Sequence, residues 1–262
     1  MLFSIGEGFG APTLYHNYCG VLMRPLFKSA HRFSFFPAFK LTLITQPLFA
    51  IMLLTIFVPS SGDCQLTVAR LRYGGGGDWY TGPSMIPNLI SAAKSRTDMP
   101  VCDTGAVVQI SDPNLFHYPF IFMTGHGEVR FTPEEKLRLR KYLIGGGFLW
   151  ADDNYGLDKF FRREIAAIFP QNPLVEIPSD HPIYNSFYQL PGLPKIHEHD
   201  GEPAQGFGVF FQGRMIVYYS YSSDIGNGME DLRVHNVGQE LHELALRMGV
   251  NVLYWFFNGG PH

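Results

Sequence analysis

Apolar residues fall in short runs separated by polar turns. Residues 118–123 (YPFIFM) and 148–151 (FLWA) are apolar without alternation. That pattern predicts strands buried on both faces, as in a parallel sheet covered by helices. Between them, Leu137, Leu139, Tyr142 and Leu143 supply an apolar helical face, while Arg138, Arg140 and Lys141 lie mostly outward. The helix has clear ends. Thr132 can cap it, Pro133 sits at the first position where no N–H is needed, and Glu135 completes a capping box. Gly145-Gly146-Gly147 stops it. Strand, helix and strand of this length predict a βαβ crossover with parallel strands. The loops after both strands then share the carboxyl edge of the sheet, where open α/β sheets bind ligands.

The same reading extends along the chain. Residues 66–73 alternate and predict a first strand, followed by the glycine loop 74–77 and a helix over 83–94. Residues 106–110 form a second strand, 157–169 a helix stopped by Pro170, and 174–177 a short strand. Residues 180–184 form a compact turn, and 191–206 (PGLPKIHEHDGEPAQG) an irregular excursion. Residues 207–211 and 214–221 pair around a Gln212-Gly213 turn, 222–230 form a polar loop, and a last helix covers 236–248, with an extension toward Trp255 in reach. This order predicts an α/β three-layer sandwich of five or so mostly parallel strands, similar to the flavodoxin-like and class I glutamine amidotransferase-like architectures.

The N-terminal part breaks the pattern. Residues 1–40 carry Arg24, Lys28, Arg32 and Lys40 against one acid, Glu7. Residues 41–58 (LTLITQPLFAIMLLTIFV) are 18 residues without a charge, followed by Pro59-Ser60-Ser61-Gly62. A basic flank, an apolar core and a small-residue exit predict an export signal. The alternative is a retained membrane anchor through 41–58, which would leave the rest outside the cytoplasm. The chain thus divides into a basic region over 1–40, a signal or anchor over 41–62 and an α/β domain over 63–262. A start at Met23 would give a conventional signal, with the first 22 residues an over-extended gene start. The expected location is exported: periplasmic, or membrane-anchored.

Charge and cysteines narrow the function. A net charge of -3 and a pI near 6.3 leave no nucleic-acid footprint. Cys64 and Cys102 follow the apolar run and would share an oxidising compartment, where either a disulfide or two free thiols fit. Neither sits in a nucleophile elbow, and Asp63 argues against lipid attachment at Cys64.

Several motifs in order carry a resemblance: YGGGGDWY, HYPFIFMTGHGEVRFTPEE, LRKYLIGGGFLWADDN, FRREIAAIFP, HPIY and SSDIGNGME. Over residues 66–258 the chain resembles the domain-of-unknown-function 4159 family. The resemblance implies a branch of the class I glutamine amidotransferase-like superfamily, with exported or membrane-attached members in bacteria. It supplies no catalytic residues, because the family's activity is not established. In true amidotransferases the turn after a central strand carries a cysteine nucleophile. Here that turn reads Trp150-Ala151-Asp152-Asp153-Asn154, which leaves a thiolate mechanism unsupported.

The predicted topology brings Asp78, His126, Glu128, Asp152, Asp153 and Asp224 to one edge, with His181 able to join from its turn. Such a set can hold a divalent metal, with His126 and Asp153 the candidate ligands, or run acid–base chemistry through His126, Asp152 and Asp153. Asp and Asn at strand ends also cap helices, so a structural role stays open. No other cofactor is indicated. Asn154 belongs to the same turn. Trp79, Tyr80 and Tyr155 at the cleft mouth can stack on a sugar ring. His197 and His199 form a His-x-His pair, which we read as a solvated loop.

Two functions follow. One is a non-catalytic binding or scaffold module of the bacterial envelope, whose ligand is a small molecule, a carbohydrate or an envelope protein. The other is a metal-assisted or acid–base hydrolase acting on a carbohydrate or peptide-like envelope component.

Overall fold

A computed structural model describes residues 65–199 and 201–260. The expected signal or anchor over 41–62, the start at Met23, and Cys19 and Cys64 lie outside these residues. Among the described residues, no helix is long and apolar enough to cross a membrane.

Seven strands of the described residues make one sheet: β1 (Val68–Arg72), β2 (Ala106–Gln109), β3 (Phe120–Met123), β4 (Phe148–Asp152), β5 (Val175–Ile177), β6 (Gln205–Phe211) and β7 (Arg214–Tyr221). Their order is β2-β1-β3-β4-β7-β6-β5. The five strands from β2 to β7 pair in parallel, and β6 runs antiparallel to both neighbours. The α/β class and the mostly parallel sheet are as the pattern predicts, with an antiparallel flank that raises the strand count above five.

The helices are α1 (Met85–Arg96), α2 (Pro133–Ile144), α3 (Asp158–Ile168), α4 (Ile225–Met229), α5 (Leu232–His235) and α6 (Gln239–Phe257). The β3–α2–β4 crossover forms as expected, with Phe120 opposite Phe148 and Met123 opposite Ala151. The capping box is complete. Glu135 N–H donates to Thr132 Oγ1 at 3.2 Å, and Thr132 N–H donates to Glu135 Oε2 at 2.9 Å.

Alternate strand residues enter opposite cores. Phe120, Phe122, Phe148 and Trp150 pack with α1 and α6, around Leu89, Met248 and Leu253. Ile121, Met123, Leu149 and Ala151 face α2 and α3, around Leu139, Leu143, Phe161 and Ile165. Both sheet faces are therefore covered, which explains the unbroken apolar runs. Each such fully buried large side chain contributes about 1.5–3 kcal/mol.

The C-terminal region departs from expectation. The polar loop predicted over 222–230 instead contains α4, and every α4 residue is buried. Its glycines serve close packing. A Cβ on Gly228 would lie 2.5 Å from Ala245 Cβ, and one on Gly226 would lie 3.0 Å from Met85 Sδ. Contacts with α1 and α6 thus override a poor helical propensity. A buried amide fastens the next excursion. Asn251 on α6 donates to the Tyr184 and Tyr188 carbonyls at 2.7 and 2.9 Å and accepts from the Phe187 and Tyr188 N–H groups. The segment 184–190 is thereby bound to the helix.

Helices leave the sheet on different faces. The helix after β1 lies on one face and the helix after β3 on the other; β4 and β7 differ in the same way. Each such pair opens a crevice at the carboxyl edge, as doubly wound sheets do at a topological switch point.

Candidate functional site

The first crevice, between β1 and β3, is closed by its own backbone. The glycine loop zips antiparallel onto residues 126–130. Gly77 N–H donates to the Glu128 carbonyl at 3.0 Å, Asp78 N–H to the His126 carbonyl at 3.2 Å, and Arg130 N–H to the Gly74 carbonyl at 2.9 Å. This approach requires glycine. At Gly75, with φ +109°, a Cβ would sit 2.7 Å from both Arg130 N and Glu128 O. Asp78 spends both carboxylate oxygens on His126, accepting from its backbone N–H and meeting Nδ1 at 2.9 Å. Glu128 pairs with Arg130 at 2.7 Å and lies 3.5 Å from Arg163; Arg130 first, then Arg163, hold its carboxyl below the usual range. Trp79 receives the Arg72 guanidinium on its ring and meets Tyr80 edge-on at 5.7 Å. The carbonyls around Trp79 accept from Arg70. Tyr80 itself is exposed.

The second crevice, between β4 and β7, holds buried carboxylates. Asp152 is fully buried at the end of β4. Ser220 Oγ donates to its Oδ1, and Gly226 N–H in the first turn of α4 donates to Oδ2 at 2.7 Å. Trp150 Nε1 donates to the same Ser220 hydroxyl at 3.0 Å. Burial and the neighbouring Asp224 carboxylate push Asp152 well above the usual carboxylate range. Asp152 thus ties β4, β7 and α4 together.

Asp153 differs. Its backbone N–H continues the pairing to the Ser220 carbonyl at 2.9 Å, and its Oδ2 accepts from Ser222 N–H at 3.3 Å. Its Oδ1 is buried without a hydrogen-bond partner. Burial raises its pKa to about 7, helped by the charges of Asp158 and Asp224 and opposed by the Ser222 N–H and the nearby Tyr219 hydroxyl. Asp153 lines a cavity of about 450 Å³ with Tyr155, Lys159, His199, Tyr221 and Ser222. Asn154 braces the turn, donating to Asn227 Oδ1 at 3.3 Å and accepting from Tyr155 N–H at 2.9 Å. Tyr155 is exposed at the mouth, its ring 5.4 Å from the His199 ring.

The opposite wall is strained. Ser222 and Asp224 adopt φ of +51° and +61°, a left-handed conformation that non-glycine residues hold only where their surroundings enforce it. Asp224 is 1% exposed as a side chain. Its Oδ2 meets His199 Nε2 and lies 3.4 Å from His197 Nδ1, while its Oδ1 is buried without a partner.

The expected single cluster is therefore divided. Asp152, Asp153, Asn154, Tyr155 and Asp224 meet in the second crevice. Asp78, Trp79, Tyr80, His126 and Glu128 belong to the first. Among the described residues, His126 makes no hydrogen bond or ion pair with Asp152 or Asp153; its partner is Asp78. His181 joins neither. It caps the turn Pro182–Tyr184 by accepting from Ile183 N–H at 3.1 Å, and its ring lies 6.1 Å from Trp255. Burial lowers its pKa. Trp255 in turn packs near Phe148, at the start of β4 and thus the amino edge.

Histidines 197 and 199 instead complete the second crevice. Their excursion, read above as solvated, is fastened to the end of β7. Ile196 N–H donates to the Ser223 carbonyl at 2.9 Å, and Lys195 Nζ donates to Ser222 Oγ at 2.8 Å. The His-x-His spacing was the signal available in the sequence.

A family model described as domain of unknown function (DUF4159) matches residues 67–257. The chain belongs to that family. No curated protein matches it.

Proposed function

We propose, with membership of this family as the premise, that the chain is an exported or membrane-anchored binding module of the bacterial envelope. Its ligand is a carbohydrate-like molecule held between β4 and β7. The observation that carries this reading is Asp153, a buried carboxyl with one unpaired oxygen, which lines a cavity of about 450 Å³. A buried acceptor left open costs about 1–3 kcal/mol until a donor reaches it. Hydroxyls of a sugar supply such donors, and Tyr155 at the mouth supplies a stacking face. The compartment is supported by the charge-free run over 41–58 and by Cys102, which is disulfide-bonded, as suits an oxidising environment. The seven-stranded sheet is compatible with amidotransferase-like ancestry. Carboxylates at the turn where an amidotransferase cysteine would stand support a binding role rather than thiol chemistry.

The test is calorimetric titration of the full chain, purified in detergent, with a panel of N-acetylhexosamine oligosaccharides. At least one should bind, and Asp153→Asn should weaken it tenfold or more while the circular dichroism spectrum stays unchanged. Failure of every sugar in the panel, or an indifferent Asp153→Asn, would overturn the reading. One observation favours the hydrolase alternative: a carboxyl with a pKa of about 7 is matched to acid–base work at neutral pH. Turnover of a bound sugar that Asp153→Asn abolishes would select it.

A further inference from the structure

We propose that His197, His199 and Asp224 form a binding site for a zinc-like divalent transition metal, with a coordination position open to the β4/β7 crevice. The inference does not depend on the sugar-binding reading.

The geometry is the first support. One donor atom from each residue lies within 4.8 Å of the other two. Four-coordinate zinc with bonds of about 2.0–2.1 Å separates its ligand atoms by about 3.3 Å. The 3.4 Å from His197 Nδ1 to Asp224 Oδ2 already fits that spacing. The two imidazoles meet edge to face at 4.7 Å. The three donors lie close enough together to be drawn around one ion.

The second support is Asp224. It is buried, and Asp152 and Asp153 lie near enough to interact with its charge. One of its oxygens has no partner. A divalent cation bound there would offset that buried charge directly. The third support is preorganisation. The left-handed turn at Ser222 and Asp224 fixes one ligand. The bonds from Ile196 to Ser223 and from Lys195 to Ser222 place the His-x-His segment against it.

The donor set selects the metal class. Two imidazoles and one carboxylate suit zinc and its neighbours better than magnesium or calcium, which prefer all-oxygen shells. Three protein ligands leave a fourth position, as at catalytic rather than structural zinc centres. His199 lines the cavity with Asp153 and Ser222, so an ion held there would lie beside it.

The test uses the full chain in detergent, stripped with a chelator and titrated with zinc against a chromophoric competitor, with no sugar present. The expected result is one equivalent per chain, with His197→Ala and His199→Ala each weakening binding at least tenfold. Glu198→Ala, an exposed neighbour, should leave it unchanged. Both histidine variants alter exposed loop positions, and thermal melts of the stripped proteins check that folding is kept. Absence of stoichiometric binding, or binding indifferent to both histidine variants, would overturn the proposal. Zinc binding without sugar binding would uphold the metal site and sink the carbohydrate reading; the reverse would separate them the other way.

Discussion

The two crevices of this sheet carry similar residues and reach opposite ends. Each has an aspartate after a strand, at least one histidine and nearby glycines. Between β1 and β3, Asp78 and His126 satisfy each other at the surface, and loop backbone closes over the strand ends. Between β4 and β7, three aspartates are buried, and two keep an oxygen without a partner. The difference shows that reactive residue types at a strand end do not define a site. What distinguishes the second crevice is buried carboxyls with an unpaired oxygen, one of them, Asp153, in the lining of a cavity.

The contrast can be broken most severely at Asp152. Asp152→Ala strands Gly226 N–H and opens a cavity, at an expected cost of about 2–4 kcal/mol in chemical denaturation. Asp152→Asn keeps the shape and can donate to Ser220, so it should cost under about 1 kcal/mol. Equal losses for the two would mean that an amide cannot take over the hydrogen bonds that the Asp152 carboxyl makes there.

Asp153 sharpens the contrast through pH. Its folded pKa is raised to about 7. Its contribution to stability is therefore full below the unfolded value near 4 and is lost as pH rises toward 7. Asp153→Asn should remove that slope, so the variant gains on the wild type between pH 4 and pH 7. The shift sets an upper limit of about 4 kcal/mol, with 1–3 expected. Denaturation midpoints at pH 4.5 and pH 8 would show it, and parallel curves for the two proteins would sink the idea.

Gly75→Ala probes the closed crevice. A Cβ in the way of the 126–130 backbone should cost about 1–3 kcal/mol in thermal or chemical melts. The smallest effect belongs to His126→Ala, because the pair with Asp78 is partly exposed; about 0–1 kcal/mol is expected, with sugar and zinc binding unchanged. A large loss of ligand affinity in that variant would erase the division between the crevices.

Much of the architecture was legible because local signals agreed. Thr132, Pro133 and Glu135 opened α2, Gly145 ended it, and unbroken apolar runs marked β3 and β4. The segment after β7 was not legible. Gly226, Asn227 and Gly228 read as a loop, and only their packing against Met85 and Ala245 makes them a helix. For the site, the shared carboxyl edge could be read, but its division could not. Strand order sets which loops become neighbours, and no local residue encodes that β7 lies beside β4. His197 and His199 were set aside for the same reason, since Ser222 and Ser223 anchor them from about 25 positions away in the chain.

The amide of Asn251 has a consequence for how such a domain can diversify. It fixes the backbone at 184–190 from one side, and pairing of β6 to β7 fixes the chain again from Gln205 onward. The stretch between these clamps bears His197 and His199. Substitutions at the exposed positions 197–199 can accumulate without disturbing the sheet, while Ile196 stays buried and bonded to Ser223. Descendants of this chain could therefore exchange one ligand for another by rewriting a single tethered loop, while inheriting the buried aspartates unchanged.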